Sequence, residues 1–86
     1  NNPIMTAWSQ VHLGRVYSVL GLYKKSQALL EESLSIYRAH YSDDHITVAE
    51  ILAYLGLIYR SLGELEKAKK CLDLSLITFR KNFKPV

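Results

Sequence analysis

The chain has a single cysteine, Cys71, among 86 residues, so it cannot form an internal disulfide and carries no sign of secretion. Its two prolines, Pro3 and Pro85, stand at the extremes, so nothing between them forbids long helices. No apolar run approaches the length of a membrane span, and no signal peptide is present. The opening Asn1-Asn2-Pro3 lacks an initiator methionine, which leads us to expect a fragment of a longer, cytoplasmic protein. P-loop, Cys-x-x-Cys, His-Glu-x-x-His and Gly-x-Ser-x-Gly motifs are all missing, which argues against an enzyme. Charge is sparse in one sign as well. The net charge of +3 is scattered, and the two basic doublets, Lys24-Lys25 and Lys69-Lys70, sit beside Gln or Glu as solvated faces do.

What the chain does have is a repeat. Displaced by 42 residues, the sequence falls on itself without a slip. Leu13-Gly14 lies on Leu55-Gly56, Tyr17 on Tyr59, and Leu20-Gly21 on Leu62-Gly63. Leu30 lies on Leu72, Ser33-Leu34 on Ser75-Leu76, and Arg38 on Arg80. A fixed period of this size signals a solenoid, in which each unit buries its apolar face only against its neighbours. With 49% hydrophobic residues the chain can supply such a core. The repeats are residues 1–42 and 43–84.

Each repeat reads as two antiparallel helices, about 3–20 and 23–41, then 45–62 and 65–83. In the first helix, Leu13, Val16, Tyr17 and Leu20 recur at helical spacing and stop at Gly21; Leu55, Ile58, Tyr59 and Leu62 stop likewise at Gly63. Glycine ends a helix because it takes a left-handed conformation without a Cβ clash. These stripes are expected to meet the second helices through Tyr23, Ser26, Leu30, Ser33, Leu34, Tyr37 and Tyr41, and through their counterparts Leu65, Ala68, Leu72, Ser75, Leu76, Phe79 and Phe83. Asn2 and Asp44 are the expected N-caps. Gly14 and Gly56 fall inside helices, where glycine costs about 1 kcal/mol relative to alanine. Close approach of the partner helix, with its small residues Ser26 and Ala68 or Ser33 and Ser75, is the expected reason.

The pattern Leu-Gly-x-x-Tyr-x-x-Leu-Gly, followed by small and aliphatic residues, resembles the tetratricopeptide repeat (TPR). The residues that carry it are Leu13, Gly14, Tyr17, Leu20, Gly21, Ser26, Leu30 and Ser33, and again Leu55, Gly56, Tyr59, Leu62, Gly63, Ala68, Leu72 and Ser75. The period is eight residues longer than the usual 34. That long form is similar to the repeats of kinesin light chain, as are Ser33–Arg38 and the inter-repeat Asp44-His45. The resemblance implies an all-α fold, a right-handed α-solenoid of two helix–turn–helix units, and a role in protein–protein interaction. It also implies that the first helix of each repeat lines the concave side. Kinesin light chains commonly place two asparagines before the Leu-Gly pair, to clasp a peptide backbone. Here Val11-His12 and Ala53-Tyr54 stand in those places.

Removing the stripe residues from the first helices leaves a concave face of Trp8, Val11, His12, Arg15 and Val19 with Glu50, Tyr54, Leu57 and Arg60. Trp, Tyr and Arg are the types that dominate binding hot spots. The expected ligand is a peptide or helical segment of a partner, with a carboxylate near Arg15 and Arg60. Trp8 suits a ligand contact and packing against a further repeat equally. His12 has no second His or Cys at i+3 or i+4, so no metal is expected, and no cofactor or catalytic residue is assigned. Asp43-Asp44 reads as a loop and cap rather than an acid–base pair. Two rival functions stand beside partner binding. Self-association is one, because two repeats are fewer than a solenoid usually needs and Cys71, Leu74 and Ile77 add an apolar surface to the last helix. RNA binding by a helical-repeat array is the other, disfavoured by the repeat's length and its Leu-Gly-x-x-Tyr core.

Overall fold

A computed structural model describes residues 2–83. Its elements are four helices: α1 (Pro3–Val19), α2 (Tyr23–His40), α3 (Ile46–Ser61) and α4 (Leu65–Asn82). No strand occurs among the described residues. The helices pack as two antiparallel hairpins, α1 on α2 and α3 on α4, joined by contact of α2 with α3. This is the all-α helical-repeat architecture that the period predicts.

The helix ends follow from local chemistry. Asn2 accepts from the Ile4 and Met5 amides through its side-chain Oδ1, at 3.0 and 3.3 Å, satisfying two donors that have no helical partner. Gly21 and Gly63 have φ of 79° and 80°. At the first, the Leu22 amide reaches back to the Tyr17 carbonyl and the Gly21 amide to the Ser18 carbonyl; Glu64 and Gly63 repeat both bonds on Tyr59 and Arg60. These paired bonds hold the left-handed stop. Gly63→Ala is expected to lower stability by roughly 1–2 kcal/mol, since a Cβ disfavours that conformation. A denaturant melt with an unchanged midpoint would refute this.

The cap of α3 differs from expectation. His45 fills the place, its Nδ1 accepting from the Thr47 amide at 3.1 Å. Asp44 instead lies one residue out. Its carboxylate pairs with Lys81 at 3.1 Å, and its carbonyl accepts from Asn82 at 2.8 Å. The His45 ring also stacks on Tyr41, with centroids 4.2 Å apart, and Tyr41 stacks on the buried Tyr37. Histidine here both caps and packs, which aspartate cannot do.

The seam inside each hairpin sets small residues against large ones. In the first it comprises the buried Ala7, Val11 and Gly14 of α1 and Ser26, Leu30, Ser33 and Tyr37 of α2. A Cβ on Gly14 would stand 3.1 Å from Leu30 Cγ, and one on Gly56 would stand 2.6 Å from Leu72 Cγ. So the internal glycines do mark close approach, to a leucine side chain above all. Buried serines answer the polarity this brings. Ser26 donates to the Gly14 carbonyl at 2.7 Å and Ser75 to the Ala49 carbonyl at 2.8 Å. Ser33 Oγ lies 3.2 Å from the Ala7 carbonyl and shares its proton with the Leu29 carbonyl.

The stripe expected at this seam lies elsewhere. Leu55 and Ile58 are buried, but their equivalents Leu13 and Val16 are 45% and 53% exposed. α3 has a helix on each side, α2 before it and α4 after it, whereas within residues 2–83 only α2 packs closely on α1. Leu55 and Tyr59 therefore meet the preceding unit of the array, and Leu13 is exposed at the equivalent place, while Val16 and Leu20 border the cleft between α1 and α3. One polar bond fixes that contact between units: the Tyr59 hydroxyl donates to Glu31, which also accepts from Gln27. Burial first, then this hydrogen bond, raises the Tyr59 phenol well above its usual value, so it stays a donor.

Candidate partner-binding groove

α1 and α3 run side by side and touch only lightly. The cleft between them holds a cavity of about 560 Å³, lined among others by His12, Arg15, Val19, Tyr54 and Leu57. Val16, Leu20, Leu30 and Ile58 complete an apolar wall and floor. A second cavity of about 100 Å³ adjoins it toward the start of α1, formed by Trp8, Val11, His12, Arg15, Tyr37, Thr47, Glu50 and Tyr54. His12, Arg15 and Tyr54 border both, so the two make one groove with a waist.

At the waist the Arg15 guanidinium lies over the Tyr54 ring, 4.9 Å from its centroid. A cation held on an aromatic face keeps its planar donors in a fixed direction. Trp8 and His12 form a second aromatic pair, with centroids 4.3 Å apart. Trp8 is 53% exposed, so a broad indole surface faces outward. Tyr37 presents a hydroxyl whose phenol is raised by burial, with Tyr41 and Glu50 adding to the effect. It remains neutral and can donate.

The structure thus brings Trp8, His12, Arg15, Val19, Glu50, Tyr54 and Leu57 together. Two others stand differently. Val11 borders the smaller cavity, but it is only 7% exposed and belongs mainly to the α1–α2 seam, so little of it reaches a ligand. Arg60 is exposed in the last turn of α3 and lines neither cavity. The residues that the sequence did not assign to the groove are Val16, Leu20, Leu30, Ile58, Tyr37 and Thr47. Five of these belong to the helical stripes, and spacing alone gives no signal that a stripe residue also floors a cleft. On the far side, Cys71 is half-buried and burial raises its thiol, which fits a packing residue rather than a nucleophile. Leu74 and Ile77 are exposed on α4.

Among the described residues, no group of three or more His, Cys, Asp or Glu side chains could hold a metal ion, and no helix is long and apolar enough to cross a membrane. The sequence model of the family "Tetratricopeptide repeat" matches residues 5–80, a span that includes every groove residue above. No curated protein and no solved structure gives a significant match.

Proposed function

The chain belongs to the tetratricopeptide repeat family, whose repeats generally mediate protein–protein interactions, and from that premise we propose that its α1–α3 groove holds a segment of a partner protein. The observation that carries this reading is the groove itself. An apolar cavity of about 560 Å³ with an oriented Arg15–Tyr54 pair at its rim combines anchor space with a directional donor. Arg15 would take a carboxylate of the partner, and Leu57 and Val19 would meet its apolar side chains. The chain acts in this reading as a non-enzymatic scaffold in the cytoplasm. We take its repeats to be of the long, kinesin-light-chain-like form; the 42-residue period and the stretch Ser33–Arg38 support this.

A library of displayed random peptides, selected on the purified chain, tests the proposal. Selected peptides are expected to lose about tenfold or more in affinity on Tyr54→Ala and on Leu57→Glu, as hot-spot truncations do. Both side chains lie at the surface or part-way to it, so the fold should survive. Selected peptides that bind both variants as well as the parent would exclude the groove.

One observation favours a second reading, association between copies. Leu13 on the first helix, and Leu72, Leu74 and Ile77 on the last, are exposed. Leu55, the repeat equivalent of Leu13, is buried and shows how another hairpin would cover the first helix. Sedimentation velocity at high micromolar concentration is expected to show dimers or larger species that Leu13→Glu dissociates. A monomer throughout that range would end this reading.

A further inference from the structure

The proposed groove says more about its ligand than that it is a protein segment. We infer that the occupant is an amphipathic α-helix, lying along the α1–α3 cleft with a large apolar side chain in the larger cavity and a basic side chain in the smaller. This rests on the groove reading above and deepens it.

The backbone form follows from what the walls can satisfy. An extended segment brings a free N–H and C=O at every residue, and each must find a partner once water is excluded. The larger cavity is walled and floored by Val16, Leu20, Leu30 and Ile58, its polar side chains are His12, Arg15, Ser18 and Tyr54, and no Asn or Gln side chain lines either cavity. Arg15, the strongest donor present, is already laid on Tyr54 and serves a side chain or terminal carboxylate better than a run of amides. A helix satisfies its own backbone and offers the wall only side chains.

The basic side chain follows from Glu50. Its carboxylate forms no ion pair with another described residue, and it shares the smaller cavity with the exposed indole of Trp8, the neutral hydroxyl of Tyr37 and Arg15, whose guanidinium is laid on Tyr54. An ammonium or guanidinium seated there would meet a carboxylate and an aromatic face together.

The spacing follows from the order of the cavities along α1. The smaller one takes Trp8 to Arg15 and the larger one His12 to Leu20, so their centres are about five residues apart. That is roughly 7 Å at the helical rise, a little over one turn. The anchor and the basic residue should therefore stand at i and i+4 on the bound helix, in one chain direction or the other.

The test uses alanine-based peptides of about 16 residues, long enough to be partly helical, titrated against the chain while the fluorescence of Trp8, the only tryptophan, is followed. Two pairs carry Leu and Lys at i and i+4 in either order, each beside a diastereomer with two central D-residues that break the helix. The helical form is expected to bind at least about tenfold tighter than its diastereomer, the usual scale of an ordering cost. Replacing its Lys by Glu should weaken it about fivefold, and Glu50→Lys should reverse that preference. Equal binding of both diastereomers, lost on Leu57→Glu, would overturn the helix while leaving the groove in place. No response from any peptide would also overturn it, and the library selection would then decide the groove separately. An unchanged Lys/Glu preference in Glu50→Lys would remove the basic side chain from the inference.

Discussion

Leu55→Ala is expected to destabilise the chain by about 2–5 kcal/mol, while Leu13→Ala, the same change at the equivalent place one repeat earlier, costs less than about 1 kcal/mol. Leu55 is 1% exposed and Leu13 45%. Removing the first leaves a cavity in the packed centre of the array; removing the second uncovers surface that water already reaches. A domain of this size has a total stability of roughly 5–10 kcal/mol. The first substitution should thus lower the melting temperature by about 10 °C or more, and the second by under about 6 °C. Thermal melts followed by helical circular dichroism decide it. Equal shifts would mean that the two leucines have equivalent surroundings, contrary to the packing described. If copies associate through α1, Leu13→Ala acquires a dependence on protein concentration, so both melts should be run dilute.

Gly56→Ala is expected to lower stability by about 1–2 kcal/mol, although alanine is the better helix former by about 1 kcal/mol. The added Cβ would stand 2.6 Å from Leu72 Cγ and 3.3 Å from the Ala68 carbonyl oxygen, so α4 must move or Leu72 must leave its place. The same change at Gly14 meets Leu30 at 3.1 Å and should be milder. Leu72 is partly exposed, so Leu72→Ala alone costs little, yet it should restore most of what Gly56→Ala loses. A double-mutant cycle by denaturant unfolding reads that coupling directly. Gly56→Ala more stable than the parent would mean that helix propensity governs the site and that the close approach does not.

These two cases also show how far sequence reasoning reaches. Gly21 and Gly63 could be read as helix stops because only a positive φ explains a glycine at the end of a periodic run. Asn2 could be read as a cap for a similarly local reason. The cap of α3 could not, because His45 wins the place over Asp44 through its stacking on Tyr41, the residue that closes α2. The stripe of Leu13, Val16, Tyr17 and Leu20 was legible as one face, but spacing does not say which neighbour covers a face. The neighbour of Leu55 and Tyr59 in the second copy is the preceding unit, visible only where α2 meets α3, while Val16 and Leu20 border the α1–α3 cleft. The groove was legible to the same degree. Trp8, His12, Arg15, Glu50, Tyr54 and Leu57 could be gathered by periodicity on α1 and α3. Leu30 and Ile58 could not, since they form the cleft's floor by the way two hairpins are staggered. Arg60 shares the period of that face, but it lies in the last turn of α3 and the two cavities do not extend to it.

The pairing of helices has a consequence for how the chain reaches this structure. α1 meets α2 across one tight turn and α3 meets α4 across another, and only the α2–α3 contact and the light α1–α3 contact join the halves. Nearly all the burial is therefore won between segments close in sequence, where little loop entropy must be lost before contacts reward it. Chains wired in this way fold on microsecond-to-millisecond timescales. Their loss of structure is stepwise as well: drawn apart by its ends, the array should fray from α1 and α4 first, and α2 and α3, each with a neighbour on both sides, should be the last to let go.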